Sequence, residues 1–327
     1  MIRFVFVSFL FLHAVYADEI RPAFLELTQQ SETSYQVLWK KPSQGEAKNT
    51  FKFEPQFPHS AQMRGVKKIS QTGSATLESY VIEDNETLIN KPITITGLET
   101  TSTDVLVRVH YLDGETEFIR VLPESPNFTL THESGFFNMA STYFILGVEH
   151  ILEGFDHLLF VLALLLLVGN IRVLIWTITA FTLAHTITLM LASLDLIYFS
   201  SRAVEATIAL SIVFVAAEVI YAMRGREHIT KKYPWVIAFG FGLIHGLGFA
   251  GALKEIGLPQ NEIVPSLIFF NVGVEIGQLI FVFAVLFVAW IVKKIVTQGV
   301  FRKLELFTAY AIGSVAAFWL IERTYGL

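Results

Sequence analysis

The chain is expected to fold in two parts, an all-β sandwich of immunoglobulin-like architecture followed by an all-α polytopic membrane bundle of about six helices. Three observations lead there. From about residue 18 to 135 the chain is mixed and polar, with short alternating runs rich in Thr, Ser, Glu and Lys. From about residue 139 onward Leu, Ile, Val, Phe, Ala and Gly dominate, in stretches near the roughly 20 residues a bilayer requires. Inside those stretches sit His150, His157, His185 and His245, together with Glu149, Glu153, Asp156, Glu205, Asn271 and Glu275. An ionised side chain near the bilayer centre costs about 3 kcal/mol on insertion scales, so a cluster of them needs a reason.

Met1–Ala17 reads as a signal peptide: Arg3 supplies the charged start, Phe4–Leu12 the apolar run, and Val15-Tyr16-Ala17 a cleavage site before Asp18. The exported β domain then covers residues 18–135 and the transmembrane domain residues 139–323. No cysteine occurs anywhere, which excludes disulfides, thiolate metal sites and cysteine nucleophiles. The net charge of −5 gives no footprint for nucleic acid.

In the exported segment, strands are expected at Ala23–Gln29, Tyr35–Lys40, Phe51–Glu54, Leu77–Glu83, Ile93–Thr96, Asp104–Tyr111 and Glu115–Leu122. Asp113-Gly114, between alternating Val105, Val107, Val109 and Phe118, Val121, signals a hairpin. His59, His110 and His132 are scattered without ligand spacing and read as surface or structural residues. Asn85-Glu86-Thr87 is a glycosylation sequon, relevant only in a host that uses that rule. Pro123–Pro126 reads as the linker into the membrane.

Six spans are expected at about Tyr143–Val168, Val173–Leu194, Ala203–Met223, Tyr233–Leu253, Val264–Val292 and Lys303–Ile321. With the β domain outside, the cytoplasmic loops carry Arg172, then Arg224, Arg226, Lys231 and Lys232, then Lys293, Lys294 and Arg302. The opposite loops hold little beyond Arg202 and Lys254. This is the positive-inside asymmetry. It places a multi-pass protein in the inner (plasma) membrane, with the N-terminal domain and the C-terminus on the periplasmic side.

Depth follows from a rise of about 1.5 Å per residue. His185, His245, Asn271 and Glu275 fall roughly 10–17 Å below the outer surface, and His157 about 9 Å. At 100° per residue, Glu149, His150, Glu153, Asp156 and His157 share about a third of the first helix's circumference. On the second span Thr182 and Thr188 share a face with His185 and offer it hydroxyl partners. The glycines of Phe239–Gly251 permit close helix approach. Imidazole with carboxylate is what a divalent transition metal asks for, with nickel, cobalt and zinc all open.

His157, His185 and His245 are then primary ligands, with His150 at the entrance. Asp156, Asn271 and Glu275 complete or orient the shell, since ligating imidazoles usually donate their other N–H to an oxygen. Glu205 caps the third span at the surface or joins the site. Glu218 lies about 20 Å deeper, as a cytoplasmic-side relay or a partner of Arg224 or Arg226.

The same residues carry a resemblance. GVEHILEGFDHLLF (Gly147–Phe160), TAFTLAHTITL (Thr179–Leu189), FGLIHGLGFAGAL (Phe241–Leu253) and FNVGVEIGQL (Phe270–Leu279) resemble the HupE/UreJ family, as does VEATIALS (Val204–Ser211). The chain looks like the longer branch, with an exported β-rich domain. The resemblance implies a membrane protein of metal handling, since some members are regarded as nickel or cobalt permeases. Three functions stay open. The first is transport or binding of a divalent transition metal, facilitated or ion-coupled because no nucleotide-binding motif is present. The second is an intramembrane zinc hydrolase with three His ligands and Asp156 or Glu275 as general base. The third is a non-transporting assembly factor whose β domain recruits an exported protein partner. Partners other than that are the ion and the lipid bilayer, and an enzyme is the lesser reading.

Overall fold

The computed structural model describes residues 22–44, 49–50, 53–72, 75–101, 103–132, 136–226, 230, 232–256 and 263–325, without the side chains of 43–44, 49–50, 72 and 250–256. The expected signal segment Met1–Ala17 lies outside the described residues. The described residues divide into two compact units: one runs up to Thr142 and also takes in Ala252–Ile256, and the other comprises Tyr143–Gly251 and the residues from Ile263 onward.

The first unit stacks two sheets on one core. Its strands are β1 (Ala23–Ser31), β2 (Ser34–Gln44), β3 (Asn49–Thr50), β4 (Glu54–Gln56), β5 (Gln62–Thr72), β6 (Ala75–Glu83), β7 (Pro92–Thr96), β8 (Val105–His110), β9 (Thr116–Val121) and β10 (Asn127–Thr129). The larger sheet runs β5-β6-β2-β1-β8-β9, with β3 on β2, and the smaller runs β10-β7-β4. Strand pairs are antiparallel except β1 and β8, which are parallel. Alternate residues point inward, so Leu25, Leu27, Val37, Trp39, Val107 and Val109 of one sheet meet Ile93, Ile95 and Phe128 of the other. A sandwich is therefore present, but its seven-plus-three membership differs from the four-plus-three of an immunoglobulin constant domain.

The hairpin at Asp113-Gly114 joins β8 to β9, and Gly114 takes φ 88°, a left-handed value that glycine adopts freely. Two strands arise where the sequence showed no pattern. β5 is exposed along nearly its whole length, so no face is buried and no alternation is needed; backbone pairing to β6, with the ion pairs Arg64–Glu83 and Lys67–Glu78 across the same strands, holds it. β10 follows the expected linker directly and adds to β7. Without disulfides, buried ion pairs fasten the sheet. Arg108 donates to Glu26 at 2.7 Å, and Lys41 reaches Glu78 at 2.7 Å. Burial alone would raise the Glu78 carboxyl, but hydrogen bonds from Lys41 and Lys67 outweigh it and hold it below its ordinary value.

The second unit is helical. Its elements are α1 (Phe136–Glu153), which begins in the first unit, α2 (Phe155–Leu167), α3 (Ile171–Ser193), α4 (Ser201–Met223), α5 (Pro234–Ile256), α6 (Ile263–Ile295) and α7 (Gln298–Thr324). Helices α3, α4, α6 and α7 are long and apolar enough to cross a membrane, and α1 with α2 passes as a fifth, broken span. In α5, where a span was expected at about Tyr233–Leu253, only the shorter stretch Pro234–Phe249 is apolar, so among the described residues four or five of the six expected spans are long enough to cross. The helical half is that of a multi-pass membrane protein. Trp176, Phe283 and Phe287 are more than half exposed, as lipid-facing residues are. Lys232 lies over Tyr233 and Lys294 over Trp290, pairing cations with rings as at a membrane interface.

The first span is not one continuous helix. At Gly154, with φ −74° and ψ 90°, the axis turns by 72° between α1 and α2. The single polar stripe expected from Glu149 to His157 is thus split over two helices. A Cβ at Gly154 would meet the His150 carbonyl at 2.7 Å and His157 Nδ1 at 3.1 Å, so the break needs glycine.

Two other glycine seams draw the helices together. A Cβ on Gly147 of α1 would lie 1.9 Å from the Phe270 carbonyl of α6, and one on Gly273 would lie 2.0 Å from the Phe144 carbonyl. A Cβ on Gly242 or Gly246 of α5 would lie 2.3 Å from the Phe181 or His185 carbonyl of α3. Gly147→Ala and Gly273→Ala are therefore expected to destabilise the detergent-purified protein by about 1–3 kcal/mol or more, as a lower thermal midpoint. Gly299→Ala, with nothing within 4 Å, is expected to leave the midpoint unchanged or slightly raised. Equal midpoints in all three variants would refute the backbone contacts.

Candidate metal centre

Three helices bring three imidazoles to one point. His150 stands near the end of α1, His157 in the first turn of α2 and His185 in α3. Each offers a ring nitrogen, and the three nitrogens lie within 4.8 Å of one another. The rings of His150 and His157 are 4.9 Å apart, and each is just over 6 Å from that of His185. The bend at Gly154 makes the first of these contacts, because it folds α2 back beside the end of α1. His157 and His185 are buried, and His150 is partly so.

The hydrogen bonds show which nitrogen each ring keeps open. His157 Nδ1 sits 2.9 Å from Asp156 Oδ1, which also accepts from the His157 backbone N–H at 2.8 Å. His185 Nδ1 sits 3.0 Å from Asn271 Oδ1 on α6, and the Asn271 amide nitrogen is spent on the Leu267 carbonyl at 2.8 Å. With that carbonyl taking the amide N–H, Asn271 presents its oxygen, so His185 carries its proton on Nδ1. In both rings the Nε2 atom is buried and has no partner, and the same holds for Nε2 of His150. A buried polar atom without a partner costs about 1–3 kcal/mol, and three together demand a shared one. Imidazoles with a free lone pair are what a transition metal takes, and those of His157 and His185 are steadied by an oxygen behind, as ligating imidazoles usually are. A tetrahedral ion with bonds of about 2.0–2.1 Å would hold its nitrogens roughly 3.4 Å apart, so rotation of the rings by about an ångström closes the set.

His245, expected as a primary ligand, stands beside this group. Its ring is 5.1 Å from that of His157, its Nε2 bonds Ser211 Oγ of α4 at 3.0 Å, and its buried Nδ1 has no partner. Phe160 and Phe181 pack against it at about 5 Å and form an aromatic floor. Ser211 was not singled out by sequence reasoning. Its signal was there, since it lies seven residues past Val204 on the buried face of its helix.

The other expected residues spread out. Glu275 is partly exposed and accepts from Thr179 Oγ1 at 2.6 Å. Glu205 accepts from Ser201 at 3.0 Å and lies 3.9 Å from Arg323 of α7, a helix-end arrangement. Buried Glu218 accepts from the Thr230 backbone N–H and hydroxyl, both at 2.9 Å, and so ties the loop after α4. Glu149 is partly buried and Glu153 exposed, and neither belongs to the converging set. The Thr182 and Thr188 hydroxyls, expected to serve His185, bond carbonyls of their own helix.

If Asp156 orients His157 rather than binding the ion, Asp156→Asn is expected to weaken metal affinity by about 10–100-fold while keeping the same number of ions per chain. Titration calorimetry on the purified protein checks this; a lost site would make Asp156 a ligand, and unchanged affinity would remove it from the centre.

The family model described as HupE / UreJ protein matches residues 127–323. No curated protein matches the chain.

Proposed function

The chain belongs to the HupE/UreJ family, and we propose that it binds a divalent transition-metal ion at His150, His157 and His185 and carries it across the membrane. The observation that carries this reading is the trio of buried, unpartnered imidazole nitrogens within 4.8 Å. Asp156 and Asn271 serve as orienting partners, and His245 stands next to the trio as the group an ion meets on leaving it. The ion is nickel, cobalt or zinc, since imidazole suits all three. It is cargo, and no nucleotide-binding motif points to a fuelled pump.

A zinc hydrolase would use the same three ligands with an open fourth position. Against it stands the engagement of its two proposed bases: Asp156 holds His157 and Glu275 holds Thr179. An assembly role for the β unit fits the family equally and leaves the histidine centre unexplained.

The orientation belongs to the same proposal. Arg172, then Arg224 and Arg226, then Lys293, Lys294 and Arg302 lie at alternate helix connections, which puts those connections in the cytoplasm. The β unit and the end of α7 are then periplasmic, in an inner membrane, and the histidines face outward.

Purified wild-type protein is expected to retain nearly one divalent ion per chain after loading with nickel, cobalt or zinc. His185→Ala is expected to retain none by elemental analysis, and a wild type that holds no metal ends the ligand reading. For orientation, a phosphatase reporter fused after Leu327 should be active, as should one within the β unit. Activity of a cytoplasmic reporter at Leu327 would reverse the placement of α7.

A further inference from the structure

Below the histidines a second polar seam joins α3 to α6. Thr179 donates to Glu275 at 2.6 Å, and Thr182 lies 3.1 Å from the amide oxygen of Gln278. Asn271, Glu275 and Gln278 follow one another at spacings of four and three, which keeps them on one face of α6. That face looks to α3, while Gly273 and Gly277 of the same helix meet α1. Along the axis, Glu275 is about 6 Å and Gln278 about 10 Å from the level of Asn271.

Two features of the seam call for an occupant. Glu275 is a carboxylate well inside a 33-residue apolar helix, where a charge facing hydrocarbon costs about 3 kcal/mol. Gln278 is 1% exposed, yet its amide nitrogen has no partner. Helix packing alone explains neither. The seam also differs chemically from the centre above it, because its acceptors are carboxylate, amide and hydroxyl oxygens. Such donors hold a nickel, cobalt or zinc ion more loosely than imidazole does. Passage through a membrane needs sites weak enough to be left as well as strong enough to be entered.

We propose that Thr179, Thr182, Glu275 and Gln278 form a second, inner cation station that receives the divalent ion, partly hydrated, after the histidines release it. The Glu275 carboxylate supplies the charge, and the two threonine hydroxyls orient the acidic and amide groups. The unpartnered Gln278 nitrogen bonds water that the ion carries with it. This inference rests on the transport reading and assigns the next step to named residues.

The test uses the full chain in liposomes, with uptake of radiolabelled zinc read beside equilibrium zinc binding in detergent. Glu275→Gln and Gln278→Leu, matched for folded protein, are expected to bind zinc with affinity near wild type while uptake falls about tenfold or more. Glu275→Asp, which keeps the charge, is expected to recover part of the uptake. Undiminished uptake in Glu275→Gln, where the wild type transports, overturns the station and leaves the transport reading standing. Loss of binding together with uptake overturns it too, by making Glu275 part of the histidine centre. A wild type that binds zinc but passes none removes both readings.

Discussion

The helical unit depends on backbone-to-backbone contact at glycine. Where α1 crosses α6 and α3 crosses α5, no side chain separates the helices, and even a methyl group would collide with a carbonyl oxygen. The histidines are placed by those crossings. His150 lies three residues beyond Gly147, and the His185 carbonyl itself lies against Gly246. Imidazoles reach only a few ångströms from the backbone, so rings on three helices converge only if the helices nearly touch.

The hydrocarbon around such helices offers no water, and this sets the second condition. Every polar group inside must find its partner within the protein. Most do: Thr177, Thr182, Thr186 and Thr188 of α3 bond carbonyls one turn back, Thr179 bonds Glu275, Asn271 serves His185, and Ser211 serves His245. Among the described residues the exceptions are few: open nitrogens remain on His150, His157, His185, His245 and Gln278, and open hydroxyls on Ser193 and Ser266. The open imidazoles are what the proposed metal site rests on.

The β unit solves a different problem. It has no disulfide and holds its sheet with an apolar core and charged pairs such as Arg108 with Glu26 and Lys41 with Glu78.

Much of this was legible in the sequence, because hydropathy and charge act locally along a chain. The division into halves, the position of each apolar stretch, the Asp113-Gly114 hairpin and the inventory of intramembrane histidines needed no structure. A helical wheel assumes a straight helix, however, and it failed where Gly154 turns the axis by 72° and folds His157 toward His150. The trio of His150, His157 and His185, with His245 set beside it on Ser211, depends on the distances between helices. So does the pairing of Glu275 with Thr179, since residues 96 apart in the chain carry no mark of each other. In the β unit the exposed strand β5 was hidden for the complementary reason: with no face buried, its backbone bonds and ion pairs to β6 leave no apolar alternation in the sequence. Composition and period determined what each segment is; only the crossings of the folded chain decided which side chains meet.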